Sequence, residues 1–341
     1  MKCVSAVWQW MKMKKGTEIA PRGYENPPTI SWPCIAYLCI VNNTPSNHKA
    51  GYVNIIGLPN AGKSTLMNAL LGENLSIVTR KAQTTRHRIL GMYNDDDHQI
   101  IFSDTPGWIL EPAYALQQDM NNAVLQTFED GDLTLMLTEV NRSLPWEGSF
   151  LEKVQSVKTP IVIVVNKTDL VKDEALLFEQ VKIWKERIPT CEVFPVSALN
   201  QHNTAELREF ILSKIPHHPP YFNKEHLSDQ NERFFASEII REQILELFHE
   251  EIPYACQVEI IAFKEEEKLL RISAEIFVER DSQKRIIIGK RGSSLKKLGI
   301  ASRKKLESFF GKQVYVETHI KVRANWRNSE HWLRQFGYRK S

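Results

Sequence analysis

The chain of 341 residues carries 44 Lys+Arg against 41 Asp+Glu, a formal net charge of +3, and 42% of it is hydrophobic. That length is enough for two domains, each with a core of its own. Five cysteines (Cys3, Cys34, Cys39, Cys191, Cys256) make no CxxC pair and exclude a disulfide framework, which fits a reducing compartment, and no apolar run approaches the roughly 20 residues of a membrane span.

Residues 1–49 carry Met-Lys-Met-Lys-Lys at 11–15 and a late apolar stretch, Ile35 to Val41, preceded by Pro33. A signal peptide would place its charged run first and a longer apolar run directly after it. The expectation is a disordered N-terminal extension, with a membrane-touching tail as the alternative.

The first folded element is then Tyr52-Val53-Asn54-Ile55-Ile56, an apolar strand. It runs into Gly57-Leu58-Pro59-Asn60-Ala61-Gly62-Lys63-Ser64 and a helix from Thr65 to Leu71. The loop fits G-x-x-x-x-G-K-[ST]. Its backbone N–H groups wrap a β-phosphate, Lys63 adds a cation, and the Ser64 hydroxyl ligates Mg²⁺. The helix N-terminus faces the same anion.

Gln83-Thr84-Thr85-Arg86-His87 follows, leading into the β-rich run Ile89 to Tyr93. A threonine here can complete the Mg²⁺ shell when a γ-phosphate is present, and Thr85 is favoured over Thr84. Strand Ile100 to Ser103 ends at Asp104-Thr105-Pro106-Gly107. Asp104 is placed to hold Mg²⁺, and the Gly107 N–H to meet the γ-phosphate. Strand Ile161 to Val165 ends at Asn166-Lys167-Thr168-Asp169, and Val193 to Val196 ends at Ser197-Ala198-Leu199. Asp169 can accept from both N1–H and the 2-amine of guanine, whereas adenine offers neither donor. The Ala198 N–H is expected at the guanine O6. Four short motifs in order, each at a strand end, select GTP over ATP.

Ile215-Pro216-His217-His218-Pro219-Pro220 reads as a stiff linker over 216–230. Its histidines have no cysteine or carboxylate partners at ligand spacing. Beyond it, a helix (Asn231 to Glu250), two alternating strands (Cys256 to Lys264, Leu269 to Val278), a GxxG loop, an amphipathic run (Ser294 to Phe310) and a third strand (Gln313 to Val322) give the order α-β-β-α-α-β. The loop, Gly289-Lys290-Arg291-Gly292, looks like that of a type II KH domain, which clamps single-stranded nucleotides. From Arg280 to Ser341 there are 17 Lys+Arg against 4 Asp+Glu, while residues 50–279 hold 21 against 35. The near-neutral total therefore hides an acidic front and a basic end, the footprint of nucleic-acid binding. Tyr315, Trp326, Trp332, Phe336 and Tyr338 either stack on bases or pack the last strand and tail; the sequence leaves both open.

Together these residues resemble the Era GTPases. The likeness runs from about Gly51 to Tyr338 and rests on G-x-P-N-x-G-K-S-T-L-x-N at Gly57 to Asn68, Arg80 to Ile89, Asp104 to Gly107, and the Val278 to Lys284 entry to the GxxG loop. The resemblance implies an α/β P-loop GTPase domain over 50–215, a mostly parallel sheet with helices on both faces. A smaller α+β KH domain with a basic tail over 231–341 is implied to follow. It implies slow hydrolysis of GTP to GDP with Mg²⁺, binding of the 3′ end of 16S rRNA, and action in assembly of the small (30S) ribosomal subunit. It further implies a cytoplasmic monomer with peripheral contact at the inner membrane. In the related group Asn60 can hold K⁺ beside the phosphates. Trp108 stands where many small GTPases have a water-orienting glutamine, as in the Era-like group. No catalytic base is named, and Lys63, Thr85 and Gly107 serve as electrostatic and positioning groups. Glu139 stands where the family more often has aspartate and is expected to alter only the surface. Two alternatives are an RNA-binding module whose GTP domain senses without turning over, and a GTPase of a tRNA-modifying or membrane-linked system. The three phosphate-site residues Lys63, Ser64 and Asp104 weigh against the first, the KH segment against the second.

Overall fold

The computed structural model describes residues 47–339 except 80, 141–153, 155–158 and 172. Almost all of the expected N-terminal extension, with Cys3, Cys34 and Cys39, lies outside the described residues.

Strand β1 (Lys49–Gly57) is central to a six-stranded sheet. The glycine loop follows it, then helix α1 (Lys63–Leu71). β2 (Ile89–Asn94) and β3 (His98–Asp104) form one wing, α2 (Ala115–Asp130) crosses over, and β4 (Leu133–Glu139), β5 (Ile161–Asn166) and β6 (Glu192–Pro195) form the other. The strand order is β2-β3-β1-β4-β5-β6, with only β2 antiparallel to its neighbour. Helix α3 (Glu174–Arg187) precedes β6, and α4 (Thr204–Lys214) follows it.

A parallel sheet covered on both faces requires strands that are apolar at every position. The alternation is legible along β5: Val162 and Val164 join α1 and α4 through Leu66, Leu70, Leu207 and Ile211. Ile163 and Val165 instead join α2 and α3 through Val124 and Trp184.

The second unit starts at α5 (Glu232–Leu247), capped by the Asn231 side chain on the Phe234 N–H. A short turn of helix, α6 (Ile252–Ala255), leads to β7 (Gln257–Glu265) and β8 (Leu269–Val278), then α7 (Asp281–Ile288), α8 (Ser293–Phe310) and β9 (Gln313–Val322). The sheet order is β7-β8-β9, the first pair antiparallel and the second parallel. Ile240 and Ile244 of α5, Ile287 of α7, and Leu298 and Leu306 of α8 cover one face of that sheet. This is the expected α-β-β-α-α-β arrangement.

The 216–230 segment is strapped to the edge of the first sheet. Ser228 pairs with Gly91 of β2, the Met92 N–H donates to the Leu227 carbonyl (2.9 Å), and the Ser228 hydroxyl donates to the Leu90 carbonyl (2.6 Å). The buried Gln99 side chain accepts from the Tyr221 N–H (2.6 Å) and donates to the Phe222 carbonyl (2.8 Å). The linker thus covers the exposed backbone of an edge strand.

Most of the C-terminal aromatics pack rather than wait for bases. Trp326, Leu333 and Phe336 form a buried cluster with Phe277 and with Leu116 and Met120 of α2, so the tail binds the two units together. The Trp326 indole donates to the Ala255 carbonyl (2.9 Å). Tyr315 stays exposed on the outer face of the small sheet, with Arg271 over its ring.

Candidate nucleotide and RNA sites

The motifs meet at the carboxyl edge of the large sheet, where open α/β sheets take their ligands. They line a cleft of about 1060 Å³ that includes Asn60, Gly62, Lys63, Ser64, Thr65, Thr85, Gly107, Asn166, Lys167, Asp169 and Ala198.

At the phosphate end, Lys63 is buried and its ammonium donates to the carbonyls of Leu58 (3.0 Å) and Gly57 (3.3 Å). Burial pushes its pKa down to about 8, and the neighbouring Asp104 opposes that shift. Asp104 is wholly buried, which raises its pKa against the hydroxyls and the ammonium around it. Ser64 Oγ donates to Asp104 Oδ2 (2.7 Å) and lies 2.9 Å from Thr85 Oγ1, itself 3.4 Å from the same carboxylate oxygen. The other carboxylate oxygen, Oδ1, is buried with no hydrogen-bond partner. An orphaned carboxylate oxygen beside two hydroxyls is a donor set for a small hard cation such as Mg²⁺. Thr84 turns away from this cluster. Its hydroxyl donates to the Lys81 carbonyl (2.7 Å) and contacts the Thr79 hydroxyl (2.7 Å).

The next loop is fixed to the first. Thr105 Oγ1 donates to the Ile55 carbonyl (2.7 Å), Pro106 is buried, and the Trp108 N–H donates to the Gly57 carbonyl (3.0 Å). A Cβ on Gly107 would lie 2.6 Å from the Pro59 nitrogen, so no larger residue permits this approach. The Trp108 ring packs on the apolar layer of α2 and α3.

At the base end, Asn166 ties two loops together. Its Nδ2 donates to the Ala61 carbonyl (2.8 Å) and its Oδ1 accepts the Ala198 N–H (3.0 Å). The Ala198 amide, expected to face guanine O6, is therefore engaged by Asn166 here, because the amide side chain fills the gap between the loops. Ser197 Oγ donates to Asp169 Oδ1 (2.5 Å) and orients that carboxylate. Glu139, expected to touch only the surface, lines the cleft and pairs with Lys167 (3.1 Å). Its reach across from β4 brings the longer side chain onto the base-reading loop.

The segment around Thr85 contacts the second unit on both sides. The Arg86 guanidinium is buried and donates to the carbonyls of Cys256 (2.7 Å), Pro253 (3.1 Å) and Tyr254 (3.1 Å). His87 stacks on Tyr338 (4.3 Å between centroids) and meets Phe234 edge-on. Burial holds the His87 imidazole down at about 4, neutral at physiological pH, although Glu238 opposes the shift. Gln83 takes a left-handed backbone (φ 57) and accepts from the Tyr114 hydroxyl (3.1 Å). From the other unit, Leu245 and Glu246 of α5 reach the wall of the nucleotide cleft. No sequence motif marks them.

The GxxG loop stands apart from this cleft. Gly289 has φ 71 and ψ 178, a region open essentially to glycine alone, and a Cβ there would lie 2.3 Å from Ser294 Oγ. Gly292 is also left-handed (φ 78), and Arg291 between them has φ 50. Lys290 and Arg291 are exposed at the tip.

Comparison with known proteins gives this geometry a family. Residues 52–167 match the family described as 50S ribosome-binding GTPase, and residues 251–327 match the KH domain. The GTPase Era of Syntrophus aciditrophicus (strain SB) is 42% identical over 293 residues, covering 85% of this chain and 95% of that protein. The chain belongs to the Era GTPase family. Among the relatives, the chloroplastic GTPase ERA1 of Zea mays is 39% identical over 297 residues, 86% of this chain and 71% of its own length. A crystal structure of Era with MgGDPNP and nucleotides 1506–1542 of 16S ribosomal RNA superposes with a TM-score of 0.80. It is 36% identical, covering 85% of this chain and 99% of that one. An Aquifex aeolicus Era variant bound to GDP·AlF₄⁻ matches equally well, with a TM-score of 0.80 and the same identity and coverage. Among the described residues no helix is long and apolar enough to cross a membrane.

Proposed function

We propose that this chain is a GTP-hydrolysing switch that holds the single-stranded 3′ end of small-subunit rRNA on its GxxG loop during assembly of that subunit. The observation that carries the reading is the meeting of Ser64, Thr85 and Asp104, with Thr85 supplied by a segment that packs on the KH unit. The solved Era with MgGDPNP and 16S rRNA supports it.

In this reading the N–H groups of residues 61–65 cradle the phosphates and Lys63 neutralises their charge. A triphosphate beside Lys63 would favour the charged ammonium that burial disfavours. Ser64, Thr85 and Asp104 would hold Mg²⁺, which when bound would supply positive charge to offset that of the phosphates. Gly107 presents its N–H to the γ-phosphate. The Trp108 ring offers no group that can take a proton, so positioning and electrostatics carry the rate. Asp169, oriented by Ser197, reads the guanine N1–H and 2-amine. Asn60 has a left-handed backbone (φ 67), is exposed at the cleft wall, and is free for K⁺ beside the phosphates.

Three outcomes test this. Asp169→Asn should weaken GTP by about 2–4 kcal/mol, the scale of two hydrogen bonds to a charged group, and gain xanthosine triphosphate in a direct binding titration. Unchanged GTP affinity would sink the base assignment. K⁺ should speed hydrolysis relative to Na⁺ in a phosphate-release assay, and Asn60→Ala should remove the difference; equal rates in both salts for the native chain refute the cation role. Lys290→Asp with Arg291→Asp should abolish binding of a single-stranded oligonucleotide of the rRNA 3′ end, leaving GTP affinity intact. Native binding should fall steeply with salt as counterions are released. A double variant that still binds, or a fully paired competitor that binds as well, would move recognition to the basic tail.

A further inference from the structure

We infer that Arg241, in the first helix of the KH unit, is a positioning residue for GTP hydrolysis, acting on Thr85 through the backbone of Gln83 and Thr84. The inference rests on the reading of Thr85 as the γ-phosphate-dependent Mg²⁺ ligand.

Thr85 lies in a stretch between α1 and β2 whose described residues form no helix or strand, so its own backbone does little to place it. Its placement comes from outside. Arg241 is 1% exposed and donates to the Thr84 carbonyl, with the Gln83 carbonyl 3.5 Å from its other terminal nitrogen. Glu238, also buried, pairs with the same guanidinium through Nε (2.8 Å) and Nη2, which fixes the fork's orientation. On the far side of Thr85, Arg86 inserts the reciprocal fork into the carbonyls of Pro253, Tyr254 and Cys256. Lys81 donates to the Phe248 carbonyl at the end of α5. Thr85 is thus held between two anchors, one made by each unit.

The energetics give this clamp a direction. A buried guanidinium that loses acceptors is strongly disfavoured. If residues 83–86 withdraw, Arg241 loses its carbonyl partners and Arg86 leaves three acceptors behind. The clamp therefore favours the arrangement in which Thr85 meets Ser64, which is the arrangement a γ-phosphate also favours. Gln83 keeps its left-handed backbone under the same hold, with the Tyr114 hydroxyl as its second restraint. The donors aim at main-chain carbonyls, so the identity of residues 83 and 84 leaves no trace of the contact in the sequence.

The test uses the full chain and four variants: Arg241→Lys, the neutral pair Glu238→Gln with Arg241→Gln, Thr85→Ala, and Thr85→Ala combined with that neutral pair. The neutral pair keeps hydrogen-bonding capacity and leaves neither charge of the pair without its partner. Titrations with GDP and with a non-hydrolysable GTP analogue are read beside kcat and KM. The neutral pair should weaken the analogue about tenfold relative to GDP, within the usual range of coupling between sites, and lower kcat. Arg241→Lys should recover part of both. Thr85→Ala should give the same analogue-selective loss, and the combined variant should lose no more than Thr85→Ala alone, because the guanidinium acts through that residue. Equal losses for GDP and analogue would make Arg241 merely structural and overturn the inference, as would an unchanged ratio or full additivity. If Thr85→Ala itself leaves the ratio unchanged, the ligand reading of Thr85 fails and takes the inference with it. A selective loss in Thr85→Ala with a silent Arg241 overturns the inference alone.

Discussion

Two buried guanidiniums, Arg86 and Arg241, are the constraint on which the rest of this structure depends. Each is 1% exposed and each donates to backbone carbonyls of the opposite unit. A buried guanidinium that loses its acceptors is strongly disfavoured, so the two units cannot part here without stranding both charges. The contact falls on the residues that flank Thr85. The unit that carries the GxxG loop is therefore packed on the segment that brings Thr85 to Ser64 and Asp104.

The rest of the molecule reinforces that join at separate points. The strap over 216–230 covers β2, the strand into which residues 81–88 run, and ends directly before α5. The tail returns to α2, which follows Gly107. Arg327 lies over the Tyr114 ring at 4.3 Å, Asn328 caps the Ala115 N–H (3.0 Å), and Arg339 pairs with Asp119 (2.8 Å). Both loops, which line the cleft through Thr85 and Gly107, are thus continuous with surfaces buried against the KH unit. The GxxG loop lies outside all of this packing, with its two cations exposed.

Much of this was legible in the sequence. Strand-end motifs carry their own chemistry, so the cleft and the KH order follow from residue types and spacing. β8 and β9 run over the residues that alternation indicates, Leu269–Val278 and Gln313–Val322. What stayed hidden depends on distance in space. The Ala198 amide is taken by Asn166, which lies 32 residues away. Glu139 reads as a surface substitution until β4 and β5 set it against Lys167. Pro-rich residues 216–220 read as a spacer because a single bridge, here His217 to Lys49 of β1, leaves no periodic pattern. The aromatic tail is ambiguous in sequence because stacking and core packing use the same side chains; burial of Trp326 and Phe336 decides it for them.

The central claim is that the order of residues 81–88 and the docking of the KH unit are one equilibrium. Hydrogen–deuterium exchange of the full chain, with a non-hydrolysable GTP analogue and then with GDP, tests it most directly. Exchange of analogue for GDP is predicted to loosen amides of residues 81–88 together with those of the opposed surfaces, residues 252–256 and 326–338. Loss of protection confined to residues 81–88, with the opposed surfaces unchanged, would contradict the account.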